Sequence, residues 1–325
     1  MMEFKSAFSP FISGLIEQKR AMGYKYEGEV GILKRFDAFC LEHCPEKTSL
    51  DQELVCAWAT RRPSEHPATL QGRVTPVKEL AKYMVRLAHE AYVLPKGMLP
   101  KVPRYVPYIY SNNELKKIFE QTDRCHYCAE VPYRHLVMPV FFRLLYSCGM
   151  RATEARLLKV GDVDLNTGVI TVVNTKLDKH RQLPVSDEMF QRVDAYSQTV
   201  HTTSVGDDWF FPGYEGKPMT LGNVEKNLRR FLWQARISHG GRGKGPRVHD
   251  LRTTFAVHCL RRWVLEDKDL HAYLPVLQAY LGHSSFGDTA YYLHLTAELF
   301  PDIIEKSTAL FGDIIPEAGN CYENQ

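Results

Sequence analysis

The sequence has no run of about 18 apolar residues, the length that a helix needs to cross a bilayer. Its first fifteen residues, MMEFKSAFSPFISGL, are too polar for a secretory signal peptide. The eight cysteines are scattered without the regular spacing of a disulfide framework, and the single CxxC motif at Cys125 and Cys128 lacks a second ligand pair for zinc. We therefore expect a cytoplasmic protein with ordinary thiols.

Motifs for nucleotide or metal chemistry are also missing. The glycine-rich segment 240–247 is not a phosphate-binding P-loop, because Gly245 follows Lys244 where Ser or Thr should stand. Ser238 likewise occupies the place of the first glycine. There is no H-E-x-x-H helix and no acidic cluster suited to two metal ions. Any phosphoryl chemistry is therefore expected to proceed without a cofactor.

Charge is distributed unevenly along the 325 residues, a length that favours two domains. Residues 1–105 contain 16 Lys and Arg against 12 Asp and Glu, whereas the remainder contains 25 against 26. The formal net charge of +3 is a weak indication of nucleic-acid binding. A more basic N-terminal part favours a module that contacts phosphates, although solvated basic surfaces are common.

A proline-rich segment divides the sequence. Apolar residues at helical spacing predict four helices in 1–93, the first helical module, with a helix start near Ser49. Residues 94–107 contain four prolines, three basic residues and no acidic residue, which predicts a stiff, extended linker. Residues 108–325 then form the second predicted domain.

The second domain has mixed periodicity. A capping-box pattern, Ser111 to Glu114, opens a helix, and an apolar helix of roughly 136–148 ends at Gly149. Segments 168–173 and 181–185 are typical of two strands joined by a turn, after which the pattern is helical again. The predicted fold is mainly α with a small antiparallel β-sheet (α+β).

Two short segments present basic residues at chain breaks. Arg151 lies between a helix that ends at Gly149 and one that could start at Thr153 or Glu154, so the backbone would aim its side chain. A surface salt bridge to Glu154 is the simpler interpretation of this segment alone. Lys176 lies in the predicted hairpin turn, where it could reach a groove, although turns are polar in any case.

Two further segments combine His with Arg or Tyr. His249 and Arg252, at i and i+3, share a helix face, and such a pair repels unless an anion lies between them. A half-buried His beside a solvated Arg is the alternative. His283 follows Gly282, and Tyr292 lies nine residues later. Tyr291 and Tyr292 could instead be core aromatics, which is the commoner fate of tyrosine on a helix.

Taken together, the segments supply groups for binding and attacking one phosphodiester. Their order and spacing resemble the tyrosine recombinase (phage integrase) family, whose motif runs Gly-Leu/Met-Arg-x-Ser/Thr-Glu, a hairpin Lys, His-x-x-Arg, Leu-Gly-His and a Tyr nine residues on. The resemblance covers about 110–300. Thr253 stands where a second His is frequent, and Leu177 where the lysine turn usually has Gly.

The resemblance implies a role for each residue of the motif. Arg151 and Arg252 would hold the non-bridging phosphate oxygens, and Tyr292 would attack to form a 3′-phosphotyrosyl link. Lys176 would protonate the leaving 5′-oxygen. His249 and His283 would add hydrogen bonds to the phosphate, and His249 could also accept the tyrosine proton.

The resemblance also implies partners. These are double-stranded DNA with an inverted-repeat recombination site and a homotetramer, a dimer of dimers, assembled on it, with no membrane. In the family a C-terminal helix, here between Pro301 and Gly312, commonly packs on the adjacent protomer. Additional DNA contacts are expected from basic residues of the linker, the hairpin and the glycine-rich segment: Lys96, Lys101, Arg104, Lys179, Arg242, Lys244 and Arg247.

Two alternatives remain at the level of the sequence. A type IB topoisomerase-like or hairpin-telomere-resolving enzyme would use the same chemistry, but a two-domain chain of this size suits a clamp that tetramerises on two sites. A DNA-binding protein without catalysis would keep the fold but would gain nothing from a positioned Tyr292.

Overall fold

The computed structural model describes residues 4–102, 105–174, 179–241 and 245–299. The chain divides into two compact units, Met1–Tyr105 and Val106–Gln325. No helix in these described ranges is both long and apolar enough to cross a membrane.

The first unit consists of helices packed on their apolar faces. They are α1 (Ser9–Ala21), α2 (Glu27–His43), α3 (Gln52–Ala59) and α4 (Pro67–Arg86). Phe8, Phe36 and Trp58 are fully enclosed at the centre of this core. Helix α3 is capped by Asp51, whose carboxylate accepts a hydrogen bond from Leu54 N, and not by Ser49 as the sequence suggested.

The second unit is mainly helical with one small sheet. Its helices are α5 (Asn112–Asp123), α6 (Arg134–Ser147), α7 (Ala152–Arg156), α8 (Asp187–Val200), α9 (Leu221–Gln234), α10 (Val248–Leu265), α11 (Leu270–Leu281) and α12 (Phe286–Leu299). The predicted capping box forms at the start of α5, where Ser111 and Glu114 bond each other's backbone amides.

The sheet is antiparallel and three-stranded, in the order β1 (Val163–Asp164), β2 (Val169–Asn174), β3 (Lys179–Pro184). The sequence indicated only β2 and β3, because a two-residue strand such as β1 is too short to show a periodicity. Arg181 pairs with Val172 in the middle of the β2–β3 ladder, so the strand register fixes its place in the sheet. The predicted fold class, mainly α with a small antiparallel sheet, is confirmed.

Helix α6 lies at the centre of the second unit and packs against α5, α8 and α10. Burying a phenylalanine such as Phe141 or Phe142 contributes about 1.5–3 kcal/mol, so this helix is a firm base for the segments that follow it. A smaller apolar cluster joins α10, α11 and α12 and includes Tyr292 and Leu293. The helices that carry the His and Tyr motifs therefore pack on one another.

Candidate active site

Four chain segments meet at one place in the second unit: the start of α7, the second turn of α10, the end of α11, and α12. They carry Arg151, Arg252, His283 and Tyr292 respectively. Arg151 is the residue before α7, which begins at Ala152 and not at Thr153 or Glu154. Four of the six residues predicted from the sequence are therefore brought together.

Arg252 is the most deeply buried charged group of the site, only 1% exposed. Its Nη1 donates to Gly149 O at 2.6 Å, and its Nη2 donates to Leu281 O at 2.6 Å. Burial, together with the charge of Arg151, lowers the pKa of Arg252 to about 10, so the group stays protonated at neutral pH. Within the described residues its buried Nε has no hydrogen-bond partner, so its donors are not exhausted.

The carbonyl of Gly149 reaches Arg252 because α6 ends in a left-handed turn. Gly149 has φ +56°, and a Cβ there would lie 2.6 Å from Phe255 Cδ1. Glycine alone satisfies both conditions, the backbone angle and the close approach of α10. The Gly-Met-Arg motif thus orients the peptide that holds Arg252 and places Arg151 directly before α7.

His283 is fixed by a hydrogen bond at each ring nitrogen. Arg252 Nη2 donates to Nε2 at 3.0 Å, and Nδ1 lies 2.9 Å from the buried hydroxyl of Thr289. Because an arginine can only donate, Nε2 must accept, and the proton of the neutral ring is on Nδ1. Burial and the charges of Arg252 and Arg151 lower the pKa of His283 to about 4, which keeps the ring neutral.

Arg151 is tied to Glu154 in two ways. Its Nη1 donates to Glu154 Oε1 at 2.7 Å, and its backbone N–H donates to Oε2 at 2.8 Å. Its Nη2 also lies 3.5 Å from Gly282 O, at the end of α11. The salt bridge that the sequence suggested as the simpler interpretation is present, and it positions Arg151 within the site.

Arg181 was not among the site residues predicted from the sequence. From β3 its Nη1 and Nη2 donate to both oxygens of Glu154 at 3.0 and 2.7 Å, and its Nε donates to Tyr280 O at 2.9 Å. Burial raises the pKa of Glu154, but the hydrogen bonds and charge of Arg181, assisted by Arg151, outweigh it and lower that pKa to about 2. The only signal in the sequence was a basic residue inside a strand, which does not identify its partners.

Tyr292 is both a core aromatic and a member of the site. It is buried in the cluster that joins α10, α11 and α12, and its ring centroid lies 5.7 Å from that of His283. Tyr291 lies beside Tyr292 with partial burial and a centroid separation of 6.0 Å.

His249 occupies the first turn of α10 and is exposed, unlike Arg252 one turn later. It lines a cleft between α9 and α10 together with Arg247, another residue predicted from the sequence. Local desolvation and the charges of Arg252 and Arg151 lower the pKa of His249. His249 is therefore electrostatically coupled to the two arginines and open to a ligand.

The remaining predicted contacts are dispersed or undescribed. Lys96 and Lys101 are exposed in the first unit, and Lys179 begins β3. Lys176, Arg104, Arg242 and Lys244 lie outside the described residues, as does the predicted C-terminal helix between Pro301 and Gly312.

The site is built for an anion. Two guanidinium groups, those of Arg151 and Arg181, share the carboxylate of Glu154, and a third, that of Arg252, is held by the carbonyls of Gly149 and Leu281, so positive charge is in excess among these groups. Guanidinium forks match the geometry of phosphate oxygens and stay charged in any environment. Across the residues that the structure describes, no group of His, Cys, Asp and Glu side chains could hold a metal ion.

Comparison with known proteins gives consistent matches. The sequence model of the phage integrase family matches residues 110–298. The y4rB protein of Sinorhizobium fredii, named as an integrase/recombinase, is 28% identical over 93% of this chain and 97% of its own length. Tyrosine recombinase XerD of Proteus mirabilis is 28% identical over 77% of this chain and 75% of its own.

Solved structures show the same fold at lower identity. The XerH recombinase bound to a palindromic difH substrate superposes with a TM-score of 0.62 at 19% identity, over 86% of this chain and 78% of that chain. A lambda integrase dimer bound to a core site gives 0.62 at 15% identity, over 87% and 94%.

Proposed function

Because the chain belongs to the phage integrase family of tyrosine recombinases, we propose that it is a site-specific DNA recombinase whose nucleophile is Tyr292. It cuts and rejoins DNA strands through a 3′-phosphotyrosyl intermediate. The observation that carries the proposal is the convergence of Arg151, Arg252 and His283 beside Tyr292, because these are the groups needed to bind one phosphodiester and attack it.

The two arginines bind the scissile phosphate. Attack by Tyr292 adds negative charge to the non-bridging oxygens in the transition state, and donors placed beforehand stabilise that charge. Losing one such donor in comparable sites costs about 3–4 kcal/mol of activation free energy. The carbonyls that hold Arg252, together with the Glu154 carboxylate that holds Arg151, keep both forks in place before DNA arrives.

The covalent step exchanges one phosphodiester for another. The phenolic oxygen of Tyr292 forms a bond to phosphorus, the bond from phosphorus to the 5′-oxygen breaks, and the leaving oxygen takes up a proton. Lys176 supplies that proton, and His249 accepts the proton of the phenol or hydrogen-bonds the phosphate. A phenol has an ordinary pKa near 10 and needs such assistance at neutral pH.

The rejoining step reverses the same chemistry with a 5′-hydroxyl from a partner strand. Phosphodiester bond energy is retained in the protein–DNA link, so the reaction needs no ATP. The charge that stabilises the transition state comes from the protein's own arginines, so cleavage is expected to continue in EDTA.

DNA and further protomers complete the reaction. Residues 1–93 act as a core-DNA-binding domain, with the basic segment 94–107 as the linker to the catalytic domain, 108–325. The substrate is a duplex with an inverted-repeat site, on which four protomers assemble in the cytoplasm. The basic composition of the first unit supports this assignment, as do the XerH and lambda integrase structures, which contain DNA.

Trapping a covalent adduct tests the proposal. The wild-type protein is incubated with a nicked duplex carrying its site, from which the cleaved fragment diffuses away. We expect a protein–DNA adduct that survives denaturing electrophoresis. Tyr292→Phe is expected to bind the duplex and form no adduct, whereas the matched control Tyr291→Phe forms it. Adduct from Tyr292→Phe, or its absence from the wild type, would contradict the proposal.

A second substrate tests Lys176 separately. In a 5′-phosphorothiolate, sulfur replaces the leaving oxygen, and a thiolate leaves without protonation. Lys176→Ala is expected to cleave the ordinary duplex slowly and the phosphorothiolate at close to the wild-type rate. Equal impairment on both substrates would remove Lys176 from the role of general acid.

A further inference from the structure

We propose that Arg181 is a positioning residue for strand cleavage: it fixes Arg151 through Glu154 and anchors both to the C-terminus of α11. The inference rests on the proposed function, because it assigns a task within the same site. Arg181 does not touch the phosphate in this assignment; it acts on the residues that do.

The first observation is the fork between Arg181 and Glu154. The two terminal nitrogens of Arg181 donate to the two carboxylate oxygens, and Arg151 also donates to Oε1. Arg181 and Glu154 are 10% and 12% exposed, whereas Arg151 is 37% exposed. The buried ion pair of Arg181 and Glu154 is therefore the fixed part of this hydrogen-bond network, and Arg151 is its more exposed member.

The second observation concerns the end of α11. Its last carbonyls have no partner within the helix, as at every helix C-terminus. Three consecutive ones each accept from a different arginine: Tyr280 O from Arg181 at 2.9 Å, Leu281 O from Arg252 at 2.6 Å, and Gly282 O from Arg151 at 3.5 Å. The negative end of the helix dipole favours these cations.

This row of carbonyls sets the spacing of the three guanidinium groups. The third contact, from Arg151, is the longest and the weakest, so the row alone holds Arg151 loosely. The Glu154 bridge is short, and Arg181 fixes Glu154 to the first carbonyl of the same row. Without Arg181, the carboxylate loses two of its donors and keeps only those of Arg151 itself, the backbone N–H and Nη1, so the bridge is no longer anchored to α11.

The position of Arg181 in the fold supports a role in holding the site segments in place relative to one another. It lies in the middle of β3, paired with Val172, and its guanidinium packs against Gly282, where a Cβ would lie 2.9 Å from Nη1. Gly282 has φ +66° and directly precedes His283. Arg181 thus connects the sheet, the start of α7 and the turn that places His283.

The experiment compares four proteins with the wild type: Arg181→Gln, Arg181→Lys, Glu154→Gln, and the double variant of Arg181→Gln and Glu154→Gln. The readouts are DNA affinity, the rate of covalent adduct formation at saturating DNA in a single turnover, and the thermal unfolding midpoint. Arg192→Gln is the matched control, since that arginine is exposed on α8 and lies 3.9 Å from Asp123.

We expect Arg181→Gln to cleave about 100-fold more slowly at saturating DNA, the loss typical of a slightly misplaced catalytic group, with nearly unchanged affinity. Arg181→Lys is expected to recover part of the rate, because one ammonium cannot serve two carboxylate oxygens and a carbonyl at once. The double variant is expected to be no slower than the slower single variant, since both changes break the same link.

Other outcomes overturn the inference. Independent losses that multiply in the double variant would show that Arg181 does not act through Glu154. A normal rate for Arg181→Gln would remove it from the reaction. If Arg181→Gln does not fold, Arg181→Lys decides alone: a wild-type rate would contradict the inference. Absence of adduct from the wild type would instead indicate that the proposed function is wrong.

Discussion

At the scale of single residues, the site depends on a guanidinium that the protein has removed from water. Arg252 is nearly inaccessible, yet two backbone carbonyls and His283 Nε2 replace its lost hydration. Burying a charge costs several kcal/mol unless such partners are supplied. In return, its remaining donors are held in a fixed direction, which a flexible surface arginine does not achieve.

Replacing Arg252 with lysine tests this arrangement. Lysine keeps the charge but cannot reach Gly149 O and Leu281 O together, and a buried carbonyl left without a donor costs about 1–3 kcal/mol. We expect Arg252→Lys to lose cleavage by orders of magnitude and also to unfold at a lower denaturant concentration. Arg262→Lys, an exposed position on the same helix, is the control and is expected to resemble the wild type in both measurements.

The hydroxyl of Thr289 is expected to matter through His283. It is fully buried and bonds Nδ1, which leaves Nε2 as the nitrogen facing Arg252. Thr289→Val keeps the shape and removes the acceptor of the Nδ1 proton, so we expect slower cleavage and a lower thermal unfolding midpoint, while Arg252 keeps the ring in the same tautomer. Thr289→Ser, which keeps the hydroxyl, is expected to resemble the wild type in both measurements. A wild-type cleavage rate in Thr289→Val would contradict this.

The lowered histidine pKa values predict a pH dependence of stability. In the folded protein the pKa of His283 is about 4, and those of His249, His201 and His258 are also lowered, against an unfolded value near 6.5. Between these values the unfolded chain binds more protons, so stability falls as the pH drops from about 6.5 toward 4. Above about pH 6.5 these histidines no longer make the stability depend on pH.

Chemical denaturation at pH 5, 6 and 7.5 measures this dependence. Glu154, with its pKa of about 2, adds a slope only below the ordinary glutamate range, so the window from pH 5 to 7 reports on the histidines. His283→Gln is expected to flatten the curve in that window. Equal or greater stability at pH 5 than at pH 7.5 would contradict the assignment.

At the scale of secondary-structure elements, the ends of helices build the site and their middles support it. Arg151 precedes α7, Arg252 lies in the first turns of α10, and His283 follows α11. Glycines in the left-handed region end α6 and α11, and each exposes a carbonyl to an arginine. The glycines of the two motifs are therefore as necessary to the site as the charged residues.

Substituting Gly149 separates crowding from backbone strain. Gly149→Ala meets both a left-handed φ and the ring of Phe255, whereas Gly216→Ala, at φ +69°, meets nothing within 4 Å. The strain is common to the two variants, so the crowding is expected to make Gly149→Ala less stable than Gly216→Ala by about 1–3 kcal/mol. Denaturant unfolding measures the difference. Cleavage is expected to fall only in Gly149→Ala, since its carbonyl holds Arg252.

The sequence predicted the elements better than the contacts between them. Periodicity and capping residues indicated the helices, and helical spacing indicated that His249 and Arg252 share a face, but spacing does not give depth, and only Arg252 is buried. The network around Arg181 could not be predicted, because it joins segments far apart in the chain. The catalytic roles of Lys176 and the other motif residues stay predictions.

At the scale of the whole molecule, the two units differ in net charge as well as in secondary structure. The first is all-helical in its described part and carries the excess of basic residues, whereas the second carries the site and is close to neutral. A chain organised in this way can bind phosphates along a duplex with one unit and place a single phosphate in the other. Affinity and chemistry would then be separable.

Salt dependence tests this separation. Each phosphate contact by Lys or Arg releases counterions, so the logarithm of affinity falls with the logarithm of salt concentration in proportion to the number of contacts. We expect the full chain to show a steep slope and a fragment of residues 106–325, which contains its own apolar core, to bind far more weakly with a smaller slope. The fragment should nevertheless retain Arg151, Arg252, His283 and Tyr292 in place. At low salt and high DNA concentration the fragment is therefore expected to form measurable covalent adduct. Tyr292→Phe in the same fragment is the negative control. If the fragment showed the same salt dependence of affinity as the full chain, the first unit would contribute little to phosphate binding, and the second unit would supply most of the phosphate contacts.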